Sequence, residues 1–241
     1  MPQKKANPHL STLYIIHGWT YRADYWQKTL DLLREHKIKV QFLYVPGLTK
    51  PSQRVWTIQN YVAWLRKELR GDMNPVVLGH SNGGRIALNY CYQYPNHLKH
   101  LILLNSAGIQ PKISRRLRNF IILILAKIFK PLKNIPLCQK LAHRLIRSSD
   151  YAQAPKNMKK TLHHLLTSDR VLAKRLADIK TPISLIWGQT DRVTPIWMMK
   201  VFKQKLPEIR TTEILKDIGH APYIHQPQIL VASLLKVLSK I

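Results

Sequence analysis

The chain has 241 residues, 45% of them hydrophobic, and carries 39 Lys and Arg against 12 Asp and Glu, a formal net charge of +27. That size suits one α/β domain with an insertion, and the apolar share excludes an intrinsically disordered protein. The positive balance would favour anionic partners in general, but the basic residues run along the whole chain with no Arg-rich tail, RNP-type motif or paired Cys/His set, so specific nucleic-acid binding is not expected. Residues 1–7 are polar and hold Lys4 and Lys5, without the apolar stretch of a secretory leader. Cys91 and Cys138 are too few for a disulfide framework or a thiolate metal site, so a cytoplasmic setting is expected.

In chain order, the apolar run Leu13-Tyr14-Ile15-Ile16 predicts a short buried strand that stops at His17-Gly18-Trp19. Trp26, Leu30, Leu32 and Leu33 then recur at helical spacing within 25–35, and 40–45 predicts a second strand closed by Pro46-Gly47. A second helix is predicted over 57–70, with Gly71 just beyond it. A third strand begins at Val76 and runs directly into Gly79-His80-Ser81-Asn82-Gly83, after which a helical pattern continues to Tyr94-Pro95. Another strand is predicted over 101–105. The rhythm breaks from 109 to about 180, which reads as a run of helices interrupted at Pro131, Pro136 and Pro155. It resumes with a strand over 183–187, a helix over 195–206, a strand over 211–215, the loop Gly219-His220-Ala221-Pro222 and a last helix over 224–241.

Strands that are near-continuous apolar runs and alternate with helices predict a mostly parallel sheet covered on both faces. Chemistry in such sheets lies at the carboxyl ends of the strands. His17-Gly18-Trp19, Pro46-Gly47, Ser81 and Asn105-Ser106-Ala107-Gly108 all fall there. The expected organisation is a core of 1–109 and 181–241 with a helical cap over 110–180.

Gly79-His80-Ser81-Asn82-Gly83 fits G-x-S-x-G between a strand and a helix, the context a nucleophile elbow requires. Small residues at Gly79 and Gly83 let strand and helix pass closely, and the new helix points its free N–H groups at the serine. A serine hydroxyl needs a base, and the base needs an orienting group. Asp191 follows one strand and His220 the next, giving the order Ser81, Asp191, His220 with all three at one sheet edge. Alternatively, Asp191 caps the helix starting near Pro195 and His220 is an exposed turn. The oxyanion needs two backbone donors, expected from Asn82 and from Trp19, whose loop His17 and Gly18 support. Packing beneath a cap is the other reading of the His17 side chain.

These residues resemble the α/β-hydrolase superfamily, in the group with an HGW-type loop, a G-H-S-x-G-G elbow, W-G-x-x-D and G-H. The resemblance runs from Leu13 to the final helix and is weakest in the cap. It implies the α/β-hydrolase fold and a serine hydrolase with a Ser81–His220–Asp191 triad, acting on a small or medium carboxylic ester through an acyl-enzyme, with no cofactor and no metal. The same triad also serves amide, thioester or carbon–carbon cleavage, and a non-catalytic binding protein of this fold is the rival from another class. Two departures stand out: the family's first hairpin is expected to be absent or minimal, and Tyr44-Val45 replaces the Asp that many relatives have before Pro46-Gly47.

The 112–147 stretch holds ten basic residues, among them Lys112, Arg115, Arg144 and Arg147, and no acid. Such a lid either covers the pocket with its charges in water, the plainer reading, or rests weakly on anionic lipid. Its most apolar piece, 120–129, is far below the ~20 residues of a membrane span. No obligate protein partner is indicated. His163-His164 reads as a polar helix face, His225 as a capping or packing residue, and Asp150 and Asp169 as alternative acids.

Overall fold

The computed structural model describes residues 11–110 and 154–241. Six strands form one sheet: β1 (Leu13–Ile16), β2 (Val40–Leu43), β3 (Val76–His80), β4 (His100–Leu104), β5 (Ile183–Gly188) and β6 (Ile209–Leu215). Their spatial order is β2-β1-β3-β4-β5-β6 and every neighbouring pair is parallel. β3, β4 and β5 are buried at every position, which is why they read as unbroken apolar runs, whereas β2 and β6 at the edges leave residues exposed.

Alternate residues of the central strands face opposite sides. Leu13, Ile15, Val76, Leu78, Ile102, Leu104 and Ile186 form one core with Trp26, with Leu30 and Leu33 of α1 (Gln27–Glu35), and with Leu230 and Leu234 near the carboxyl terminus. The other face is covered by α2 (Ile58–Glu68) and α3 (Asn82–Gln93). α2 starts where the sequence places it because Thr57 and Asn60 form a capping box, with Asn60 N donating to Thr57 Oγ1 at 3.3 Å. Cys91 of α3 is fully buried, and burial pushes its thiol up to about 12, which leaves it unreactive.

The chain divides into two compact units, one of 1–109 with 156–241 and one of 110–155. Within the first, α4 (Lys156–Arg175) packs on α2 and α3, and its Thr161 Oγ1 accepts the Trp56 amide at 2.8 Å. Of the cap expected over 110–180, only this later part is described; the basic 112–147 stretch, Asp150 and Cys138 lie outside the described residues. α5 (Ile196–Lys205) flanks β5. The single last helix expected over 224–241 is instead two, α6 (Pro222–His225) and α7 (Pro227–Leu238). Gln226 sits at φ −142°, ψ 57° between them, because Pro227 bars its predecessor from helical geometry. Among the described residues no helix is long and apolar enough to cross a membrane.

Candidate active site

Ser81 follows directly on β3 and is held at φ 51°, ψ −116°, a region that L residues enter at a cost of about 1–3 kcal/mol. The backbone around it enforces this. Ser81 N donates to Leu104 O at 3.1 Å and Ser81 O accepts from Ala107 N at 3.0 Å, so the elbow is pinned to the segment after β4. A Cβ on Gly83 would overlap the carbonyl of Ile16, and one on Gly79 would stand 2.6 Å from Gly84 Cα. The glycines of the motif are therefore steric requirements of the crossing, as their positions in the sequence suggest.

Asp191 lies in the turn after β5 and is buried. Its Oδ1 accepts the amides of Val193 (2.7 Å) and Thr194 (2.9 Å), which shapes the turn, and its Oδ2 faces His220 Nδ1 at 2.7 Å. It does not cap α5, whose N-cap is Pro195. With Nδ1–H donated to the carboxylate, His220 keeps Nε2 as the basic nitrogen. Its side chain is 22% exposed, whereas that of Asp191 is fully enclosed. Thr194 Oγ1 lies 2.8 Å from Asp191 Oδ2 and 3.3 Å from His220 Nδ1, flanking the pair. Among the described residues Ser81 Oγ makes no hydrogen bond to His220. The two are neighbours through His80, whose ring centroid is 4.8 Å from that of His220 and whose Nε2 donates to His220 O at 2.9 Å. Base–nucleophile contacts of this kind commonly tighten only with substrate bound.

The Trp19 and Asn82 amides have no hydrogen-bond acceptor among the described residues. His17 beside Trp19 is fully buried and stacks on Phe42. Its Nδ1 lies 2.8 Å from Gly18 O and its Nε2 2.7 Å from Thr49 Oγ1, so it both packs and ties the loop that presents Trp19. Burial lowers its pKa to about 4, which keeps it neutral. Gly18 is needed for close approach, since a Cβ there would stand 2.9 Å from Ser81 Cβ.

Asp169, weighed as an alternative acid, pairs instead with Arg85: Nε–Oδ1 is 2.6 Å and Nη2–Oδ2 3.0 Å, both residues buried. Arg85 also donates to the side chain of Asn82. His163 and His164 are exposed on α4, and His225 is exposed at the end of α6. Among the described residues no group of three or more His, Cys, Asp or Glu could hold a metal. Sequence reasoning noticed the position of Asn105 but not its bonds. It is fully buried at φ 44°, and its side chain reaches both the Gly188 amide and the loop carrying His220. The one available signal was an Asn directly after a buried strand, the residue type that best tolerates positive φ besides Gly.

A family profile described as serine aminopeptidase, S33 matches residues 8–226. The chain belongs to this family. Members and relatives give the S33 assignment context. A pimeloyl-[acyl-carrier protein] methyl ester esterase of Pseudoalteromonas atlantica is 23% identical over 92% of this chain and 92% of its own. Lipase 3 of a Moraxella species is 25% identical over 88% of this chain and 72% of its own. Among solved structures, a putative lipase from Acinetobacter baumannii superposes with a TM-score of 0.71 at 24% identity, over 97% of this chain and 85% of its own. That structure shares the fold. The S33 chain described here is thus an α/β-hydrolase, with a six-stranded parallel sheet flanked by helices.

Proposed function

We propose that the protein is a serine hydrolase that cleaves a small or medium carboxylic ester through an acyl-enzyme, with Ser81 as nucleophile, His220 as base and Asp191 as its orienting acid. The observation that carries the reading is the 2.7 Å Asp191 Oδ2–His220 Nδ1 bond beside a serine strained at a strand-to-helix elbow. A surface turn would have left His220 without that partner, and a capping aspartate would have stood at the N-cap of α5, where Pro195 is instead.

In this mechanism His220 Nε2 takes the Ser81 proton as Oγ attacks the ester carbonyl carbon. The resulting oxyanion is stabilised by the backbone N–H groups of Trp19 and Asn82. The His220 imidazolium, stabilised by Asp191, delivers the proton to the departing alkoxide. Water, deprotonated by His220, then attacks the acyl carbon, and the proton passes to Ser81 Oγ as the carboxylic acid leaves and ionises in solvent. Ester rather than amide is favoured because relatives aligned over most of the chain include a methyl ester esterase and a lipase. The 110–180 segment is proposed as the cap, and its basic 112–147 stretch as part of a lid that does not bind lipid. Liposome flotation with anionic and neutral vesicles separates that from a lipid-resting lid.

Hydrolysis of p-nitrophenyl acetate, butyrate and octanoate, beside the corresponding p-nitroanilides, tests the reading. Turnover of the esters that disappears in Ser81→Ala supports it. Turnover of the anilides alone would move the substrate class to amides, and turnover unaffected by Ser81→Ala would overturn the assignment.

A further inference from the structure

Asn105 is placed where three of the polypeptide's active-edge segments meet. Its Nδ2 lies 3.0 Å from His220 O and 3.1 Å from Gly219 O, and its Oδ1 accepts the Gly188 amide at 2.7 Å. Its own carbonyl accepts from Thr194 Oγ1 at 3.0 Å, the hydroxyl that also touches Asp191 Oδ2. Gly188 in turn accepts the Asp191 amide at 3.3 Å. We propose that Asn105 is a positioning residue for the reaction, a clamp that sets the loop carrying His220 against the turn carrying Asp191. This rests on the triad reading above.

The chemistry of the position admits few other side chains. Two part-buried carbonyl oxygens take a donor and one buried amide takes an acceptor, all from one side chain with no solvent exposure. Asn supplies both from one planar group. Asp would aim a carboxylate at two carbonyls, Leu would remove the Gly188 amide's acceptor and the donor to Gly219 O while leaving His220 O to His80 alone, and Gln is one carbon too long. The positive φ of 44° aims the group inward and is itself tolerated best by Asn among non-glycine residues. His80 completes the clamp from the other side, because its Nε2–H donates to the same His220 carbonyl at 2.9 Å. Nδ1 of His80 is buried without a partner, which leaves Nε2 as the nitrogen bearing the proton. Burial and the neighbouring His220 hold His80 well below the ordinary histidine range, so its ring stays neutral at neutral pH. The carbonyl of the base itself is thus gripped by two side chains. The grip fixes the backbone of His220 while its ring stays free to meet substrate.

A double-mutant cycle of Asn105→Ala with His220→Ala separates positioning from packing. With p-nitrophenyl butyrate, Asn105→Ala is expected to lower kcat by about 10–100-fold with KM changed less than about threefold, as befits lost alignment of a catalytic group. In the His220→Ala background the same change is expected to alter the residual rate by less than about twofold, because there is no base left to align. Asn105→Asp keeps the volume and the acceptor for Gly188, so it runs the same cycle if the alanine variant does not fold. An equal loss in both backgrounds, or kcat within about twofold of wild type in a folded variant, overturns the proposal. Absence of turnover in the wild-type protein would instead overturn the triad reading on which it rests.

Discussion

At the amino ends of the sheet a histidine and a serine share a hydrogen bond, whereas at the carboxyl ends the proposed base bonds a carboxylate instead, and only the second set is proposed as a catalyst. At the amino ends of β4 and β5, His100 Nε2 and Ser184 Oγ are 2.9 Å apart, with the residues 4% and 1% exposed. Ser184 lies within β5, paired on both sides, and no carboxylate bonds His100 among the described residues. Burial, with Arg210 and Lys99 nearby, lowers the His100 pKa to about 4. At the carboxyl ends, Ser81 is forced out of the strand by the elbow, His220 is bonded to a carboxylate, and its ring is partly open. Proximity alone satisfies two buried polar groups. Strain, an acid and access are what turn the same residue types toward chemistry.

The contrast can be broken or sharpened by substitution. Ser81→Ala should lower ester turnover by at least about 10³-fold, with folding intact by thermal melting. Asp191→Asn should follow, with a fall in kcat on the order of 10³–10⁴-fold, because an amide facing Nδ1 favours the tautomer that puts the proton on Nε2. At the other end, Ser184→Ala should leave turnover within about twofold of wild type while costing about 1–3 kcal/mol of stability in urea unfolding, as His100 loses its buried partner. A large fall in turnover there would erase the distinction.

A further effect is expected on the pH dependence of stability. His17 and His100 stay neutral in the folded protein down to about 4, whereas unfolded histidine protonates near 6.5. As pH falls from about 6.5 to 4 the unfolded chain binds protons that the folded chain cannot, so stability declines, with a limiting slope of roughly 1.4 kcal/mol per pH unit for each such histidine. Melting temperatures between pH 7 and 4.5 should drop accordingly, and His100→Asn should flatten the slope by one proton's worth.

Much of the frame was legible in the chain. Central strands buried on both faces read as apolar runs, and the steric needs of the elbow wrote Gly79, Ser81 and Gly83 into a recognisable spacing. The strand order β2-β1-β3-β4-β5-β6 was not legible, since apolar runs carry no record of which neighbour they pair with. The break at Gln226 was missed although Pro227 signals it, because the apolar period continues across the break. At the site, Ser81, Asp191 and His220 could be placed at one edge by topology alone. Asn105 and the Arg85–Asp169 pair could not be assigned partners, because their bonds join residues more than 80 positions apart. An aspartate on a helix looks the same whether it meets solvent, an arginine or a histidine.

The most direct test is to label the folded wild-type protein with a fluorophosphonate probe and locate the modified serine by peptide mass mapping, beside Ser81→Ala and Ser184→Ala. The account expects the adduct on Ser81 alone, lost in Ser81→Ala and retained in Ser184→Ala. An adduct that survives Ser81→Ala, or a folded wild-type protein that takes no label, would contradict it.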